Sequence, residues 1–171
     1  MQRPYIYLDT EADRTRLITD LGRIRSTVLN MIEVVPEAEW YTSRYHGWSL
    51  AAMLGHLNTV DNLAMLQIQV ALLNIRPMIP LGLVNWSNGW MARIYQRRLV
   101  ATSRQSIVKN EKRIADFILR LPVDRFSKAV YYPPFEQYTT VERVLQDYFV
   151  FHWQEHLQTM LRVEGIQQPP E

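Results

Sequence analysis

His152 and His156 stand four residues apart in a stretch of helical periodicity, so both imidazoles leave one face and can reach the same divalent ion. Such spacing arises easily by chance; the neighbouring residues give it weight. At helical steps the pair continues the stripe Leu145, Tyr148, Phe149, Met160 and Val163, the face expected to point into a core. His56 is placed alike, with Ala52 and Met53 a turn before it and Thr59, Val60 and Leu63 after it. A buried polar group without a partner costs roughly 1–3 kcal/mol, and one shared cation would satisfy three such imidazoles together. The plainer alternative is three separate core histidines, each bonded to a hydroxyl or carbonyl.

Three neutral imidazoles with no fourth protein ligand leave a position for water or substrate, the pattern of an open, catalytic site. His46, in Arg44-Tyr45-His46-Gly47-Trp48, is expected at the surface or lining a pocket rather than as a ligand. Tyr148, one turn before His152, could donate a hydrogen bond to a reacting oxygen. Asp61 or Glu155 could orient a ligand or accept a proton. The bland readings of these three are a core tyrosine and two surface carboxylates.

The elements that must position these residues are helices. From Thr10 to about Val35, Leu17, Leu21, Ile24, Val28, Met31 and Ile32 recur at three- and four-residue steps, and Pro36 ends the run. Ser49 is a good N-cap for a second helix reaching about Asn74. Pro77 and Pro80 then break the chain, and Trp86 to Val100 reads as a short extra helix within a long connection. A third main helix is expected from near Ser103, burying Ile107, Ile114, Phe117, Ile118 and Leu121 before Pro122. Thr139 and Glu142 have the spacing of a capping box opening a fourth helix that runs to Gly165. A short β-like run at Ala129 to Tyr132 does not alter an all-α class: one four-helix bundle domain over residues 1–171.

Helix rise sets the topology. His56 lies roughly 10 Å past the start of the second helix, while the midpoint of His152 and His156 lies roughly 15 Å from the end of the last helix and roughly 21 Å from its start. The levels match better if these two helices run antiparallel. An up-down-down-up bundle is therefore expected, with the segment from Asn74 to Thr102 crossing between helices two and three.

Composition narrows the classes of function. With 47% hydrophobic and 21% charged residues the chain is an ordinary globular sequence, and 19 basic against 17 acidic groups demand no polyanionic partner. Arg93, Arg97, Arg98, Arg104, Lys109, Lys112 and Arg113 read as a solvated face, not a nucleic-acid site. The absence of cysteine removes thiolate ligands and disulfides and fits a cytoplasmic setting, and no signal peptide or membrane span is expected. The apolar run Pro77 to Trp90 is too rich in large side chains for an exposed loop: a dimer interface, a lid over the metal pocket, or packing on its own bundle.

The segment Gly47-Trp48-Ser49-Leu50-Ala51-Ala52-Met53-Leu54-Gly55-His56-Leu57, followed by Asp61 and by His152-Trp153-Gln154-Glu155-His156, resembles the DinB-like (YfiT-like) superfamily of metalloenzymes along the whole chain. The resemblance implies an up-down-down-up four-helix bundle and a metal triad at His56, His152 and His156. It further implies nickel or zinc as the divalent ion, a homodimer, and transfer or isomerisation dependent on a low-molecular-weight thiol. Where many relatives carry glutamine three residues past the last histidine, this chain has Thr159, with Gln158 one position earlier. Imidazole ligands alone also admit manganese or iron. The leading expectation is a metal-dependent transferase, isomerase or hydrolase acting on a small molecule. The alternative is a non-catalytic metal- or small-molecule-binding module of a stress response.

Overall fold

Thr10 is extended, and its hydroxyl accepts from the Asp13 N–H, which fixes the start of α1 (Glu11–Val34) in a computed structural model describing residues 3–167, side chains at 85, 87, 88 and 92 excepted. The ends of the expected domain, 1–2 and 168–171, lie outside these residues. Ser49 does the same for α2 (Leu50–Leu72), accepting from the Ala52 N–H.

Two boundaries differ from expectation. The connecting helix α3 spans Leu81–Tyr95 rather than Trp86 to Val100, and α4 (Val100–Arg120) begins three residues before Ser103. Pro80 stands just ahead of the first turn of α3, where its missing N–H costs nothing. Leu99 caps α4 with no side-chain bond, so no Ser, Thr, Asp or Asn marks that start. Ser103 is buried inside the helix.

A single turn, α5 (Val123–Phe126), leads into a hairpin of β1 (Ala129–Tyr132) and β2 (Gln137–Thr140), antiparallel with Ala129 opposite Thr140. The last rod is continuous: α6 (Val141–Gln146), a π-helical turn (Asp147–Phe151) and α7 (His152–Glu164). The capping box expected from Thr139 and Glu142 is not formed, because Thr139 is paired with Val130 in the hairpin. Thr140 is the N-cap, accepting from Arg143, and Glu142 instead accepts the Leu8 N–H at 2.8 Å.

Side-chain pairs give the helix directions. Asn110 donates to Asn58 and Arg113 to Asn62, so α2 and α4 run the same way. Arg14 of α1 reaches the Leu121 carbonyl while Glu33 lies by Arg104, so α1 opposes α4. His56 meets His152 while Gln67 meets Tyr131 of β1, the strand beside the start of the last rod at Val141, so α2 opposes that rod. The core between the helices holds Leu21, Val28, Leu54, Leu57, Ile107, Ile118, Phe149 and Trp153. Among the described residues no helix is long and apolar enough to cross a membrane.

Candidate metal centre

His56 leaves the second turn of α2, and His152 and His156 leave the first turns of α7. Their Nε2 atoms converge: His56 to His152 is 3.3 Å and His156 to His152 is 3.1 Å. Ligand atoms of all three lie within 4.8 Å of one another. With metal–nitrogen bonds of about 2.0–2.1 Å, two ligands of a tetrahedral ion stand about 3.3 Å apart, the separation found. Hydrogen bonding does not account for it as well. A neutral His152 Nε2 carries either one proton or one lone pair, so it cannot serve both neighbours with full bonds.

Protonation agrees with a ligand set. Burial, with His156 adding, pushes the His56 imidazole down to about 3. Burial first, then the other two histidines, holds His152 well below its usual value, and burial lowers His156 against a small opposing pull from Glu155. Neutral nitrogens are what a cation needs. The Nδ1 atoms of His56 and His152 are buried with no hydrogen-bond partner among the described residues, so ring orientation comes from packing rather than from a carboxylate or carbonyl behind the ring. The Trp48 ring sits edge-on to His56, with centroids 4.9 Å apart. It is delivered by a two-residue turn at His46 and Gly47, both at positive φ, that closes the Tyr45–Trp48 bridge.

Beneath the triad lies a charged anchor. Arg25 and Asp61 are wholly buried and paired at 2.8 Å; the second Asp61 oxygen accepts from Trp153 Nε1 at 2.9 Å. The Arg25 guanidinium also donates to the Phe149 carbonyl at 2.8 Å and lies 4.3 Å from the Trp153 ring centroid. Phe149 lies in the π-helical turn, where the regular i to i−4 ladder is interrupted. One ion pair thus ties α1, α2 and the last rod together, with Trp153 next to His152 and Asp61 five residues on from His56. Burial pushes the Asp61 carboxyl up, opposed by Arg25 and by the Trp153 N–H.

Above the triad opens a pocket of about 750 Å³. Tyr148 lines it; burial, then Tyr132 and Asp147, push its phenol above the ordinary range, so it stays a neutral O–H donor. Its hydroxyl has no hydrogen-bond partner among the described residues, and its ring packs edge-on to Tyr132. Arg3 reaches the same mouth from the N-terminal strap, held by Asp147 and, at 2.6 Å, by Glu155. The strap is pinned by Gln146, whose amide accepts from the Ile6 N–H and donates to the Ile6 carbonyl.

The structure therefore brings together His56, His152 and His156, and sets Tyr148 and Glu155 on the pocket wall. Asp61 is not part of that wall. His46 is exposed at its turn, and Val163, expected inward, is 42% exposed. The inward stripe passes from Met160 to Glu164, which is bound by Arg44 and Tyr45. Of the Pro77 to Trp90 segment, Pro77, Ile79, Leu81, Leu83 and Val84 wall the pocket, while Met78, Trp86 and Trp90 remain exposed. Sequence reasoning missed Arg3 and Arg25. An arginine at a core position of the α1 stripe, between Leu21 and Val28, was the available signal for Arg25.

No family model matches the sequence, and no curated protein matches it. Among solved structures, the fold matches YfiT from Bacillus subtilis with a TM-score of 0.73 at 18% identity, over 98% of this chain and 94% of that one. That protein is described as a probable metal-dependent hydrolase with an unusual four-helix bundle topology. This chain has the YfiT fold, and its three histidines lie close enough together to hold a metal ion.

Proposed function

We propose that the protein is a metal-dependent hydrolase of a small carbonyl compound, with one divalent ion, zinc or nickel, held by His56, His152 and His156. The convergence of three neutral Nε2 atoms at the floor of a pocket carries this reading. Support comes also from the fold shared with a protein described as a probable metal-dependent hydrolase. When bound, the ion supplies Lewis acidity, which polarises a carbonyl and acidifies water near neutral pH.

The chain's own residues do the rest. The three imidazoles would hold the ion and would leave a coordination position for water or substrate. Tyr148 donates its phenolic proton in a hydrogen bond to the substrate oxygen, where negative charge develops. Glu155, exposed and tethered by Arg3, accepts the proton released by water and returns it to the leaving group. In balance, a bond forms from the water oxygen to the carbonyl carbon, the bond to the leaving group breaks, and that group departs with a proton. Asp61 acts through Arg25 and Trp153 as a positioning residue.

The test is turnover of ester, thioester and amide libraries by chelator-stripped protein before and after zinc or nickel is restored. Activity that returns with metal and is absent from a His152→Ala variant is expected; metal-independent turnover rejects the reading. A need for added thiol would favour thiol-dependent transfer at the same open position over hydrolysis. The proposal includes a homodimer, supported by Trp86, Trp90 and Ile94, which are exposed on the outside of α3.

A further inference from the structure

The pocket is far more apolar than a metal site alone requires. Its charged lining is confined to the triad end, where Arg3 and Glu155 neutralise one another. Among the described residues the walls beyond them are apolar except for Gln67, whose amide donates to the Tyr131 carbonyl: Leu63, Leu66 and Val70 along α2, faced by Leu81, Leu83 and Met91 of α3. Three of these leucines wall the pocket yet stay open to solvent, Leu63 at 53%, Leu66 at 57% and Leu83 at 54%. Leaving large apolar side chains wet along a concave wall forgoes about 25 cal/mol for each Å² that an occupant could cover. A volume of about 750 Å³ lies within the roughly 300–1,000 Å³ range of pockets that enclose a whole small molecule.

Resting on the hydrolytic reading, we infer that the substrate is an amphiphile: its carbonyl head meets the triad, and an uncharged apolar body of about eight carbons or more lies in the trench between α2 and α3. The polarity gradient sets the orientation. The imidazoles, Tyr132, Tyr148 and Arg3 stand at one end, and among the described residues no charged group lines the other. A small polar substrate would leave the leucine wall uncovered. A flat contact with a second copy would not reach the triad floor.

The probes are the straight-chain alkanoates from hexanoate to dodecanoate, kept below their micelle concentrations and titrated into the metal-free full chain by calorimetry. Affinity is expected to rise about fourfold per methylene until the trench is full. The variant L63E/L66E alters exposed positions and so keeps the fold, which unchanged circular dichroism and zinc titration verify. It should weaken dodecanoate at least tenfold. The triple His56→Ala, His152→Ala, His156→Ala variant should lose zinc yet keep the chain-length dependence, which separates failure of the trench from failure of the metal reading. Affinity independent of chain length, or indifferent to L63E/L66E, overturns the inference. So does a change in sedimentation of L63E/L66E without any loss of alkanoate binding, which assigns the leucines to a contact between copies.

Discussion

Asp61 shows what one residue contributes without touching substrate. Its two oxygens are used up by Arg25 and Trp153, and all three are buried, so removing one charge strands the other in the core. Breaking such a pair costs about 3–5 kcal/mol, whereas replacing both members with apolar groups of similar volume is much less harmful. We predict that Asp61→Asn lowers stability by several kcal/mol in urea unfolding, and that Arg25→Met with Asp61→Leu recovers most of it. Equal losses from the single and double changes would contradict the anchor. Tyr148 belongs to the other class. Tyr148→Phe is expected to lower kcat about a hundredfold to a thousandfold with zinc affinity unchanged, as loss of a donor aimed at developing charge should. The triad was legible in the sequence because helical spacing puts His152 and His156 on one face. Arg25 was not, and Asp61 was named as an orienting group or base but not as one half of a buried ion pair, since a charged type reads as solvent-facing until its partner on another helix is known.

At the scale of elements, the cap at Ser49 and the stops at Pro36 and Pro122 were legible, because each acts through its own chemistry within a few residues of chain. The start of α3, the missing side-chain cap of α4 and the π-helical turn were not, since each is settled by packing against another element. Gly55 illustrates such packing: a Cβ there would fall 2.7–2.9 Å from side-chain atoms of Tyr95, so α3 approaches α2 beside His56 only because that position is bare. Gly55→Ala should therefore push α3 outward and cost roughly 1–3 kcal/mol, read as a lower thermal midpoint. Adding Tyr95→Ala should restore part of the loss by making room, so that the two changes couple. Simple additivity of the two would argue that the contact is not limiting.

For the whole molecule, the buried histidines link folding to acidity. All three have folded values below the unfolded value of about 6.5, and His56 is lowered to about 3. Between those limits the unfolded chain binds protons that the folded chain does not, so stability is complete above about pH 6.5 and falls as pH drops. Each histidine contributes up to about 1.4 kcal/mol per pH unit across its window. Metal-free protein should then unfold far more readily at pH 5 than at pH 7, and the triple alanine variant should show a shallower slope; parallel slopes would contradict burial of the imidazoles. The proposed homodimer belongs to this scale too. Analytical ultracentrifugation should find twice the chain mass of 20.3 kDa, and Trp90→Glu should shift it to the monomer. A monomer at high micromolar concentration would oppose the dimer without touching the metal site.

On the proposed reading, three imidazoles from α2 and α7 share one ion with a coordination position to spare. The most direct measurement is titration of tag-free, metal-stripped protein with cobalt(II), followed by visible absorption and then by addition of azide. One equivalent per chain, with the intense bands of a four-coordinate site that shift when azide binds, is the result predicted. Binding that persists in the triple alanine variant, or a spectrum of six-coordinate cobalt indifferent to azide, would contradict it.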